Sequence, residues 1–114
     1  VMSDMAKAQH QITVIGQRPW IAADGSPRAG RGIIFEVDGN EVTVWVHMSV
    51  SISLGKTSEK DREPEAARTL VEMELDRGWD PRVQSSLELT DAALHWVRHT
   101  PGWTDKGATG KVAR

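Results

Sequence analysis

From Val42 to Leu54 every second residue is apolar: Val42, Val44, Val46, Met48, Val50, Ile52 and Leu54. Between them stand Thr43, Trp45, His47, Ser49, Ser51 and Ser53. Period-two alternation marks a strand with one face in a core and the other outside it. Upstream, Ile33, Phe35 and Val37 alternate with Gly32, Ile34 and Glu36. Gly39-Asn40 lies between the two runs and predicts a two-residue hairpin turn. In that register Val37 faces Val42, Phe35 faces Val44 and Ile33 faces Val46. Ile34 then opposes Trp45 on the other face, and Glu36 opposes Thr43. A slip of one residue would scatter the apolar set across both faces. The alternating run is longer than most strands, which have about 3–10 residues. Its second half, Ser49–Leu54, is therefore expected to bend near Met48-Ser49 and to pair with something other than Gly32–Asp38.

Ile12 and Val14 predict an earlier strand over residues 11–16. QRPWIAADGSPRAGRG, residues 17–32, has two prolines and no period, and predicts a long loop. Beyond Thr57 the period changes. Ala67, Leu70, Val71 and Leu75 lie at helical spacing, Pro64 suits a first turn, and Gly78 suits the residue after a helix end. These signs predict a helix over 64–77, with Trp79 folding back on its last turn. Two start signals follow, Ser85-x-x-Glu88 and Thr90-Asp91. They leave residues 82–89 open between strand and helix, ahead of a second helix that ends before Pro101. Residues 1–10 form an arm and 100–114 a tail, which Trp103 anchors. The order predicts an α+β fold, a three- to four-stranded antiparallel sheet with two helices on one face, and 114 residues suit one domain.

Composition removes several classes. With no cysteine there is neither a disulfide framework nor a thiolate metal site. No apolar run reaches the ~20 residues of a membrane span, and the first residues hold no signal-like apolar core. The cytoplasm is the expected compartment. Net charge is −2, which gives no global attraction for nucleic acid. Acids dominate residues 59–80, whereas Arg18, Arg28 and Arg31 stand against Asp24 alone in residues 17–32.

Candidate chemistry is sparse. Asp91, His95 and His99 recur every four residues and place three metal-ligand types on one helix face. The Glu that follows the first His in zinc-peptidase helices is missing. Asp91 and His99 also suit the two ends of a helix dipole, so no metal and no cofactor is expected. His47 has no nucleophile or carboxylate beside it in sequence, and the serines fit no nucleophile motif. The five tryptophans, with no Tyr and one Phe, are the unusual feature. Trp96 falls at a helical core position, whereas Trp20, Trp45 and Trp103 fall where aromatics mark contacts. The expected binding surface comprises Trp20, Arg28, Arg31, Ile34, Trp45, His47, Ser49, Ser51 and Ser53.

The sequence therefore predicts a small non-enzymatic interaction or regulatory protein. It would bind a protein partner or form a homodimer by pairing Ser49–Leu54 between copies. One alternative is a nucleic-acid-associated protein using Arg18, Arg28 and Arg31. The other is a metal-dependent enzyme using Asp91, His95 and His99.

Overall fold

A computed structural model describes residues 10–55, 62–101 and 103. Strand β1, Ile12–Ile21, leads to β2, Pro27–Val37, and β3, Asn40–His47. Helices α1, Met48–Gly55, and α2, Glu63–Asp76, follow. Strand β4, Ser86–Leu89, and helix α3, Asp91–Arg98, close the order. The sheet order is β1-β2-β3-β4. The first three strands form an antiparallel meander, and β4 runs parallel to β3. The class is α+β as expected. The sheet is mixed rather than wholly antiparallel, and there are three helices among the described residues rather than two. The connection from β3 to β4 carries two of them, α1 and α2, and so returns the chain to the same end of the sheet, as a parallel crossover requires.

The β2–β3 hairpin keeps the predicted faces but changes the predicted pairs. Phe35 opposes Val42, Ile33 opposes Val44, and Val37 opposes Asn40. The turn is Asp38-Gly39 rather than Gly39-Asn40. Both turn residues have positive φ, 50° and 86°. That is the requirement of the type I′ turn, whose twist matches that of the strands. Asn40 instead opens β3, and its side-chain amide donates to the carbonyls of Val37 and Asp38, each at 3.3 Å. The register moves by two residues, so Phe35, Val37, Val42, Val44 and Val46 are all fully buried together.

Ser49–Leu54 is helix, not strand. In the sheet, β2 pairs with β3 only as far as Gly30 opposite His47. Beyond His47 the chain satisfies its backbone groups within a helix instead. The alternation allowed both outcomes, because Val50 and Leu54 are also four residues apart. They are fully buried, while Met48 and Ile52 face outward.

The expected loop over 17–32 is mostly the two arms of a hairpin. Only Ala22–Ser26 turns, closed by Ala22 N–H on the Ser26 carbonyl at 2.8 Å and by Asp24 accepting from Ser26. Bulges between Val14 and Gly16 and between Pro19 and Ile21 break the period that would have revealed β1. Pro19 is tolerated because β1 is an edge strand.

Helix α2 starts at Glu63, with Pro64 in its first turn, and buries Ala66, Ala67, Leu70 and Val71. At its end Trp79 N–H reaches the Glu74 carbonyl at 2.9 Å, and Gly78 N–H reaches that of Leu75 at 3.1 Å. Gly78 has φ 99°, so this is the expected glycine-terminated cap. Thr90 caps α3 by accepting from Ala93 N–H at 3.1 Å, so the second helix begins at Asp91 and not at Ser86. Leu94 and Val97 carry its core contacts, and Trp96, expected inside, is 61% exposed. Trp103 is buried, with the Arg62 guanidinium 4.0 Å over its ring. The arm 1–9 and the tail beyond Trp103 lie outside the described residues. Among the described residues no helix is long and apolar enough to cross a membrane.

Two substitutions test this packing. Val44→Asp puts a carboxylate into the fully buried centre of β3 and is expected to cost more than ~3 kcal/mol in urea unfolding. Gly39→Ala meets open space but keeps a positive φ, and is expected to cost only about 1–2 kcal/mol. Equal losses for the two would contradict the register.

Candidate binding surface

The three helices pack on one face of the sheet. Ile33, Phe35, Val37, Val42, Val44, Val46 and Leu89 join helical residues from α1, α2 and α3 in one core. The intervening residues form the opposite face, and rows of it follow from the strand pairing. One row is Arg18, Gly32, Trp45 and Glu88. The next is Gly16, Ile34, Thr43 and Ser86. Gly30 faces His47 beyond the first row, and Thr13, Glu36 and Glu41 lie beyond the second.

Two glycines shape this face by what they lack. A Cβ on Gly32 would lie 2.7 Å from Trp45 Cζ3 and 2.8 Å from Thr43 Cγ2. A Cβ on Gly30 would lie 2.9 Å from Trp20 Cε3 and would also collide with the Val46 carbonyl. Each indole therefore lies close against a glycine. Trp20 reaches its place from the Pro19–Ile21 bulge. The two indoles stack, with ring centres 5.3 Å apart and planes 24° apart. His47 meets Trp20 edge-on at 5.1 Å, and its Nε2 lies 2.9 Å from Glu88 Oε1. The Arg28 guanidinium sits 4.8 Å over the Trp20 ring. Offset aromatic pairs and cation–π contacts each hold such a cluster by about 0.5–1.5 kcal/mol.

The expected surface is thus brought together in part. Trp20, Arg28, Ile34, Trp45 and His47 share this face. Arg31 does not, because its alternate position turns it to the helix side. There its Nε donates to Glu63 Oε1 at 3.0 Å, its Nη2 donates to the same oxygen, and its Nη1 donates to Gln17 at 3.0 Å. Arg18 is on the outer face, and its Nη2 donates to Glu41 Oε2 at 3.0 Å. Ser49, Ser51 and Ser53 belong to α1, and Arg98 Nη1 donates to Ser53 Oγ at 3.5 Å. Helix formation removes all three serines from the sheet. Glu88 and Gly30 were not anticipated, and Glu36 and Gly32, expected on this side of the sheet, were not counted in the surface. Carrying the Ile34–Glu36 alternation back through Gly32 and Gly30 would have found the glycines.

The Asp91, His95 and His99 set does not assemble. His95 and His99 have ring centres 4.4 Å apart, but His99 Nδ1 lies 2.8 Å from the His95 carbonyl and is committed there. Among the described residues no group of three metal-ligating side chains forms. A cleft of about 460 Å³ lies between the Asp38-Gly39 turn and the loop after α2, lined by His10, Asp38, Asn40, Trp79, Asp80 and Arg82 among others. Among the described residues that line it there is no serine, threonine, cysteine or lysine. The Gln11 N–H and then His10, 2.7 Å away, hold the Asp38 carboxyl below its ordinary value. Arg82 does the same to Asp80.

No protein-family model matches this chain, and no curated protein or solved structure matches it significantly.

Titration with zinc at neutral pH is expected to show no tight stoichiometric heat, and His95→Ala should change nothing. A submicromolar site removed by that substitution would contradict the geometry. The acid limb of stability offers a separate check. A depressed folded-state pKa stabilises above the unfolded value, and the gain disappears as pH falls through the folded one. Melting of Asp38→Asn from neutral to acid pH should therefore show a shallower acid loss than the parent chain.

Proposed function

We propose that this protein is a non-enzymatic interaction module that self-associates through the helix-free face of its sheet, two copies packing face to face. The observation that carries this is the Trp20–Trp45 stack standing on a face that no described helix covers. Beside it lie Ile34 and Thr43. A tryptophan pair of this kind contributes most when a partner removes it from water.

Charge selects the partner. Along the strands the face runs from Arg28 and the His47–Glu88 pair at one end to Glu36 and Glu41 at the other. A second copy related by a two-fold axis, strands antiparallel, lays each end on its opposite. Glu36 directly opposes Glu41 across the β2–β3 pair, and like charges in that relation destabilise a sheet. Arg18 of the same chain answers Glu41. In that arrangement Arg28 of the second copy would answer Glu36. Sheets packed in this way lie about 10 Å apart, a gap that large side chains fill.

The nucleic-acid reading fits less well. Arg31 is turned to Glu63, Arg18 is bonded to Glu41, and Glu36, Glu41 and Glu88 share the aromatic face. A dimer paired through Ser49–Leu54 has no basis in the structure, since that segment is helical.

Sedimentation equilibrium at micromolar concentration should give twice the chain mass. Trp45→Ala should weaken the dimer at least tenfold, which corresponds to about 1.4 kcal/mol. Arg28→Glu should also weaken it, and adding Glu36→Arg to Arg28→Glu should restore it. A parent chain that stays monomeric, or a double variant no tighter than Arg28→Glu alone, would refute the arrangement.

A further inference from the structure

The geometry points to a second surface, which adjoins the aromatic face at Glu88: we infer that the open edge of β4 takes an extended, basic peptide as an added strand. The Thr43 N–H donates to the Ser85 carbonyl at 3.0 Å. In a parallel ladder, alternate residues turn both backbone groups to the same neighbour. Leu87 and Leu89 therefore face β3, and Ser86 and Glu88 present their N–H and C=O groups to the other side. Strand β4 ends the sheet order, so no further strand of the described chain covers that side.

A cleft of about 590 Å³ runs beside this edge. Its walls include Leu70 and Trp79 from α2 and its end, and Leu87 and Ala93 from β4 and α3. Strand addition works in this way, with main-chain bonds giving affinity and a side pocket reading every second side chain. The cleft's apolar walls suit an aliphatic residue of the incoming strand. Its rim carries Glu74 and Glu88, with Arg77 3.9 Å from Glu74. Glu88 also meets His47 at 2.9 Å, but two carboxylates against one guanidinium and one imidazole still favour a lysine or arginine next to the aliphatic residue. The other edge of the sheet is guarded. β1 has two bulges and Pro19, and Arg68 Nη1 occupies the Ile12 carbonyl at 2.7 Å. β4 has neither proline nor lysine to block pairing.

The test is selection from a random octapeptide display library against the immobilised full chain. A synthetic peptide of the enriched sequence is then followed by amide NMR. The expected sequence alternates aliphatic residues with lysine or arginine. Its binding should shift the Ser86 and Glu88 amides and the Trp79 indole, and leave Trp20 unmoved. Ser86→Pro deletes an outward N–H that β3 does not use, and should weaken binding at least tenfold without lowering the melting temperature. Glu74→Lys should weaken it similarly and serves if Ser86→Pro fails to fold. Failure to enrich such a sequence, or affinity unchanged in Glu74→Lys, would overturn the inference. Loss of the dimer in Ser86→Pro would also overturn it, because another copy would then occupy the edge. Loss of the dimer in Trp45→Ala with peptide binding intact separates the two surfaces.

Discussion

Strand β3 is paired on both sides, by β2 and by β4, and all three of its inward valines are fully buried. Each such valine stabilises the fold by roughly 1.5–3 kcal/mol through burial. The rest of the chain is arranged to allow it. The Asp38-Gly39 turn sets which β2 residue meets which valine. The α1 and α2 connection brings β4 back parallel to it. The helices cover its inner face, and Arg31 ties the start of α2 to the sheet through a Glu63 side chain only 9% exposed. Removing that acid alone would leave a guanidinium half-buried without its partner, a larger loss than the pair itself contributes.

What the sequence made legible was the side of each residue, more than its neighbour. Alternation says which way a side chain points, and Val42, Val44 and Val46 pointed inward as read. It says little about where a strand stops. Val50, Ile52 and Leu54 continued the period, yet pairing with β2 stops at Gly30 opposite His47 and the chain turns helical. Where pairing stops is a property of the whole sheet, and no local pattern carries it. The irregularities in β1 hid a long strand for the converse reason, since the one between Val14 and Gly16 adds a residue and inverts the period.

The aromatic face was legible in its members but not in its assembly. Trp20 and Trp45 stand far apart in sequence, and only the β1–β2–β3 pairing brings their rings together. Arg28 follows because it shares the parity of Gly30 and Gly32. Arg31 has the other parity and is lost to the helix side. One residue's difference in position thus separates an arginine of the surface from an arginine of the fold. The serines show the limit of the same reasoning, since parity has no meaning once the backbone turns helical.

Gly30 and Gly32 make the aromatic face unusually easy to erase. Neither position lies in a turn, and neither side chain, having none, contacts anything by chemistry of its own. Yet almost any replacement would lift an indole off its bed, and Gly30 also has a backbone φ of 135°. In a lineage where the face is in use, these two positions should resist drift as firmly as the tryptophans do. In one where it has been abandoned, they should be among the first to acquire side chains, while the core valines behind them remain. The history of the surface would then be written in two empty places, separately from the history of the fold.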